Sequence, residues 1–215
     1  METPKLRDIE QVCDGWVKKY LMTYELPDGS LYQYHCATRR GRDAYLEGLK
    51  RNAEVSEAAM KAIHAGLKPP AALPAVPDAV CIAARTPRDT LVMIREFRYP
   101  LNSWCIAFPA GLVDAGEDII TCANRELREE TGYALLPNST PRALPQAGYS
   151  STGLTDETVH VVLMDADKIE EPHTEGNEFI EVFELPIAEI RTFLDENTLP
   201  IGTRAQLILE LFARE

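Results

Sequence analysis

Long apolar runs are missing from this chain of 215 residues. Nothing in it approaches the roughly 20 consecutive apolar residues that cross a bilayer, so no membrane partner is expected. The amino terminus, METPKLRDIEQ, is charged and has no apolar core of a leader peptide. Cysteine is sparse: Cys13, Cys36, Cys81, Cys105 and Cys122 are odd in number, scattered and without a CxxC pair. That pattern gives neither a zinc site nor a disulfide framework, and reduced thiols in a cytoplasmic setting are expected. Basic residues are few, 22 Lys and Arg against 34 Asp and Glu, which leaves a formal charge of −12. Long-range repulsion then excludes nucleic-acid backbones as the main partner. An anionic substrate needs a local device, either a metal ion or a few placed arginines. GxSxG, Walker and GxGxxG motifs are also absent, and His35, His64, His160 and His173 stand apart from one another. Serine-hydrolase, P-loop and Rossmann chemistry have no support.

What is present suits one compact domain, or one domain with an appendage, with 45% hydrophobic residues and enough length for a core. Residues 10–39 alternate apolar and polar around Pro27-Asp28-Gly29, which predicts a hairpin. From Asp43 to Leu67 apolar residues recur by threes and fours, a helical period, and the following KPPAALPAVPDA, with four prolines, cannot continue a helix. Residues 41–77 therefore read as a helical insert and linker between an N-terminal β-region (1–40) and the main domain (78–215). That domain offers β-like runs at 79–85, 90–100, 103–109, 157–166 and 178–186, a helix over about 118–131, and two closing helical patterns. Strands mixed with helices without regular βαβ alternation predict an α/β or α+β layered fold.

The most informative segment is GLVDAGEDIITCANRELREETGY, residues 111–133. On its helix Ile120, Ala123, Leu127 and Thr131 share a stripe that can face a core. Glu126, Glu129 and Glu130, at i, i+3 and i+4, converge on another face. Like charges that close repel one another, and a hard divalent cation relieves them. A bare ExxEE is also compatible with a solvated acidic face.

The surrounding residues decide between these. Gly111, Glu117 and then Arg125-Glu126-Leu127-Arg128-Glu129-Glu130-Thr131-Gly132-Tyr133 resemble the Nudix box, G-x5-E-x7-R-E-U-x-E-E-x-G-U, where U is a bulky aliphatic residue. Tyr133 at the last U is the single departure. The resemblance implies a Nudix fold, a mixed β-sheet sandwiched between helices, and hydrolysis of a nucleoside diphosphate linked to a moiety X. It implies Mg²⁺ as cofactor, with Mn²⁺ as substitute. The metal would be held by Glu126 and Glu130, by Glu129 sharing or bridging ions, and by the carbonyl of Ala110. Gly111, Glu117, Arg125 and Gly132 would be structural, with Arg125 pairing with Glu117.

LVMIREFRYP, WCIAFPAGLVDAGED and EFIEVFELP are similar to the branch that hydrolyses ADP-ribose and nucleotide sugars. In that branch Arg98, and Arg39 after the hairpin, would contact the phosphates. Trp16 and Tyr34 would stack the base from an N-terminal sheet exchanged across a homodimer, although both also suit ordinary half-buried strand aromatics. Glu178 would be the general base on a lid-like loop, with Glu175 close enough to compete; Glu178 also suits the simple start of a strand. Thr152 replaces the proline usual in the branch's loop at Ser150–Glu157. ADP-ribose is the first substrate expected, and nucleoside diphosphate sugars are the second. A nucleotide-metabolite sensor without turnover, or an isoprenoid-type isomerase, would use the same fold. The complete set of box glutamates speaks against the first, the arginines and aromatics against the second.

Overall fold

The computed structural model describes residues 3–69, 77–174 and 176–214. Most of the proline-rich stretch (70–76) and Glu175 lie outside the described residues. Contacts divide the chain into two units, one of residues 1–76 with 148–158 and one of 77–147 with 159–215.

In the first unit β1 (Lys5–Cys13), β2 (Lys18–Glu25) and β3 (Leu31–Thr38) form an antiparallel sheet in the order β1-β2-β3. The alternation of residues 10–39 predicts only a hairpin here. Most of β1 escapes that pattern, because its exposed charges mark an edge strand with little apolar alternation. The expected helix is α1 (Arg42–His64), which packs Tyr45, Leu46 and Leu49 against Ile9, Tyr20, Met22 and Cys36. Residues 148–158 add a loop tied to β3 by the Ala37 N–H, which donates to the Leu154 carbonyl at 2.9 Å.

The second unit contains β4 (Ala79–Arg85), β5 (Thr90–Arg98), β6 (Ser103–Ala107), β7 (Ala110–Leu112), α2 (Ile119–Thr131), β8 (Tyr133–Leu135) and β9 (Arg142–Ala143). A two-residue strand of the first unit, β10 (Gly148–Tyr149), precedes β11 (Thr158–Lys168), β12 (Ile180–Pro186), α3 (Ile190–Glu196) and α4 (Thr203–Phe212). The sheet runs β11-β4-β5-β12, with β11 and β4 parallel and β7 on the edge of β4. β4 reads AVCIAAR because it is buried on both faces. Its even residues, Val80 and Ile82, join Val92, Cys122, Ala123 and Leu127 beneath α2. Its odd residues, Cys81 and Ala83, join Met93, Ile190, Ala205 and Leu209 beneath α3 and α4. The sheet is thus sandwiched between helices, as the resemblance implies. All five cysteines are free thiols. Among the described residues no helix is long and apolar enough to cross a membrane.

Candidate active site

Local chemistry sets both ends of α2. The Asp118 carboxylate accepts from the N–H groups of Ile120 (3.0 Å) and Thr121 (3.1 Å), satisfying donors that the first turn cannot. At the other end Gly132 adopts φ 74°, and a Cβ there would lie 2.1 Å from the Glu170 carbonyl oxygen. Glycine is needed both for the left-handed turn and for the close approach of residue 170.

The three glutamates of the helix diverge in environment. Glu130 is 6% exposed and faces inward with Leu127. The Glu126 side chain is 14% exposed, whereas that of Glu129 is 50% exposed. The i, i+3, i+4 spacing places them on one broad side, with Glu126 and Glu130 forming the i, i+4 row that is turned inward. That row abuts the β7 backbone. The Ala110 N–H donates to Glu130 Oε2 at 3.0 Å. The Glu126 carboxylate occupies the space beside Gly111, where a Cβ would stand 1.9 Å from its Cδ.

Arg125 organises the charge around this row. Its Nε and Nη2 donate to the two oxygens of Glu117, both at 2.9 Å, and Nη2 also reaches the Leu112 carbonyl at 3.1 Å. Its Nη1 contacts Glu126 at 2.7 Å and Glu129 at 3.2 Å. The guanidinium thereby joins the loop before the helix to the helix itself. It holds the Glu117 carboxyl at about 2. Glu130 has no such help: burial, with the charges of Glu96, Glu126 and Glu178 behind it, pushes its carboxyl up to about 8 despite the Ala110 N–H. Burial likewise raises Glu126, against the pull of Arg125.

Glu178 is exposed at the end of the loop that leads into β12. Its neighbours are anchored: the Tyr99 hydroxyl donates to the Asn177 carbonyl at 3.0 Å, and the Phe97 N–H donates to the Phe179 carbonyl at 3.0 Å. Its charge acts on Glu96, Glu126 and Glu130, so the structure brings Glu178 into the same electrostatic neighbourhood as the helix row. Arg98 lies at the end of β5 with Nη2 2.7 Å from Glu96 Oε2. Sequence reasoning overlooked Glu96. The available signal is an acidic residue two positions before Arg98, following the apolar Val92 and Ile94 on the same face of a strand of period 2.

The remaining three candidates belong to the first unit. Arg39 Nη2 is 2.6 Å from Glu157 Oε1, so its charge is partly neutralised by a carboxylate of its own unit. Tyr34 donates its hydroxyl to the Gly153 carbonyl at 2.5 Å and lines a cavity of about 520 Å³ with Tyr24, Tyr32, Tyr149 and Asn52. Trp16 is 75% exposed, in the turn between β1 and β2, and does not line that cavity. The loop around Thr152 is held without proline by the Ser151 carbonyl, which accepts from the N–H groups of Leu154 and Thr155 at 3.0 Å each.

The Glu126, Glu129 and Glu130 carboxylates are of the oxygen-donor type that suits a hard divalent cation. A carboxyl as buried as Glu130, surrounded by like charge, is of the kind that a cation stabilises. Among the described residues no three His, Cys, Asp or Glu side chains are spaced as a ready-made metal site. Arg125 draws Glu126 and Glu129 to itself instead.

A sheet between helices, carrying a glycine-seated row of carboxylates on one helix, defines a class, and residues 75–204, more than half of the chain, match the NUDIX domain family. The chain belongs to that family. The ADP-ribose pyrophosphatase of Saccharomyces cerevisiae is 42% identical over 111 residues, 50% of this chain and 46% of that protein. The ADP-ribose pyrophosphatase of Bacillus subtilis is 36% identical over 143 residues, 65% of this chain and 74% of that protein. The ADP-sugar pyrophosphatase of Mus musculus is 35% identical over 113 residues, covering 50% of each. The chain thus spans about half the length of two of these relatives and three quarters of the third. A crystal structure of an ADP compounds hydrolase shares the fold, with TM-score 0.66 and 20% identity over 100% of this chain and 94% of that one.

Proposed function

We propose that the chain hydrolyses the pyrophosphate bond of a nucleoside diphosphate linked to X, with ADP-ribose as substrate and AMP and ribose 5-phosphate as products. The observation that carries this reading is the row of Glu126 and Glu130 seated on the backbone of Gly111 and Ala110, with the charge of Glu178 acting on both. The names of the relatives supply the substrate class.

In this reading Glu126, Glu129, Glu130 and the Ala110 carbonyl hold Mg²⁺, with Mn²⁺ as a substitute. When bound, the cation polarises the phosphorus and lowers the pKa of the attacking water. Glu178 accepts the proton of that water; Glu175 is the competing base and lies outside the described residues. Arg98 and Arg39 receive the charge of the diphosphate, for which Arg39 must share its guanidinium with Glu157 or leave it. Trp16 and Tyr34 stack the base. The exposure of Trp16 supports a homodimer in which a partner's sheet completes the stack. Residues 1–40 serve base binding and dimerisation, 41–77 are an insert, and 78–215 carry the hydrolase chemistry in a cytoplasmic enzyme.

The test is incubation with Mg²⁺ and, separately, ADP-ribose, ADP-glucose, UDP-glucose and GDP-mannose, with products resolved chromatographically. AMP and ribose 5-phosphate from ADP-ribose as the fastest reaction supports the proposal. Faster turnover of a sugar nucleotide moves the assignment to that substrate. Tight nucleotide binding without turnover of any of the four points to a sensor.

A further inference from the structure

Glu96 has no part in the Nudix box, yet it enters the same charged region from a different strand. Along β5 the side chains alternate, so Val92, Ile94, Glu96 and Arg98 share one face. Val92 at the start of that face packs under α2 with Leu127, and the face then leads outward to Glu96. In the pairing of β5 with β12, Glu96 stands opposite Ile180, two residues beyond Glu178. Its side chain is 15% exposed, and its charge acts on Glu130.

Another carboxylate among Glu126, Glu130 and Glu178 is electrostatically unfavourable by itself. What offsets it is the ion pair with Arg98, Nη2 to Oε2 at 2.7 Å. The two ends of this pair differ in environment, because the Arg98 side chain is 47% exposed. A partly buried carboxylate thus holds one nitrogen of a guanidinium that is itself about half exposed. A guanidinium carries five donors in a rigid fork, so holding one nitrogen restricts where the remainder point.

We propose that Glu96 is a positioning residue for Arg98, holding one guanidinium nitrogen so that the remaining donors meet the diphosphate of the substrate. The proposal rests on the reading of Arg98 as a substrate contact. It assigns Glu96 an effect on substrate affinity, transmitted through Arg98, and no role of its own at the reacting atoms.

The test is steady-state kinetics on ADP-ribose for Glu96→Gln, Glu96→Asp, Arg98→Ala and Glu96→Gln/Arg98→Ala, each checked for an unchanged circular dichroism spectrum. Loss of a charge-assisted contact predicts that Arg98→Ala raises KM by about tenfold or more, with kcat within about threefold of the parent. Glu96→Gln should raise KM by roughly three- to tenfold. Glu96→Asp keeps the charge but loses reach, so it should behave in the same way. The double variant should be no worse than Arg98→Ala, since two residues that act as one unit are not additive. An unchanged KM in Arg98→Ala sinks the reading of Arg98 itself. A raised KM in Arg98→Ala with an unchanged KM in both Glu96 variants sinks the positioning role and leaves Arg98 in place. A fall in kcat on Glu96→Gln that persists in the Arg98→Ala background also overturns it, because Glu96 then acts on the chemistry directly.

Discussion

The hydroxyl of Tyr133 donates to Glu184 Oε1 at 2.6 Å, joining the residue that follows the helix C-cap to the middle of β12. This accounts for the one departure from the box pattern. The ring is buried as an aliphatic residue would be, and its hydroxyl enters a network in which Arg88 donates to both Glu184 oxygens, at 3.1 and 2.7 Å, and Thr90 donates as well. Arg88, Thr90 and Tyr133 together hold the Glu184 carboxyl at about 2, while burial and that carboxylate push the Tyr133 hydroxyl up to about 12. Tyr133→Phe should cost about 1–3 kcal/mol in urea unfolding at neutral pH. A carboxyl whose folded pKa is depressed contributes stability above its unfolded value of 4.5 and loses it as pH falls toward 2. The difference between parent and Tyr133→Phe should therefore shrink between about pH 4.5 and pH 2; a constant difference over that range would mean that the carboxylate is not involved.

Gly111→Ala tests the seat of Glu126. The added methyl would lie 1.9 Å from the Glu126 Cδ, which can move because it ends a side chain. The fold should survive, with melting within a few degrees of the parent, while kcat falls by about a hundredfold or more as the carboxylate is displaced. A variant that retains full kcat would show that the position of Glu126 is immaterial.

Gly132→Ala tests a different constraint, because its clash is with the backbone of residue 170, which cannot swing aside. The strain of φ 74° alone costs on the order of 1–3 kcal/mol. Loss of stability in urea should accompany any loss of activity here, in contrast to Gly111→Ala.

Glu130 should trade stability for function. Its carboxyl pKa is raised from 4.5 to about 8, so ionisation on raising the pH across that range works against folding. With divalent cations chelated, Glu130→Gln should melt higher than the parent at pH 9, with the gap narrowing toward pH 5. The same variant should lose kcat by about a hundredfold or more in Mg²⁺. Chelation should abolish turnover by the parent, with activity returning on adding Mg²⁺ or Mn²⁺.

Trp16→Ala addresses the base subsite. Stacking is worth roughly 1–3 kcal/mol per base, so KM should rise by about tenfold or more with kcat little changed. The exposure of Trp16 makes the substitution harmless to the fold, and an unchanged KM would remove this residue from the site.

The sequence by itself determined the local elements of this protein. Alternation and apolar runs placed β4, β5, β11 and β12; the helical pattern over about 118–131 placed α2; and spacing put Glu126 and Glu130 one turn apart. Such features depend on a few consecutive residues, whose periods follow from backbone geometry. Tertiary structure decided which of the charges lie inside. It buried Glu130 and left Glu129 half exposed, brought the charge of Glu96 on β5 to bear on Glu130, gave Arg39 to Glu157 across 118 residues of chain, and matched Tyr133 with Glu184 across 51. The periodicity of one segment carries no record of the partner that another presents to it, and burial of a charge is settled by that partner.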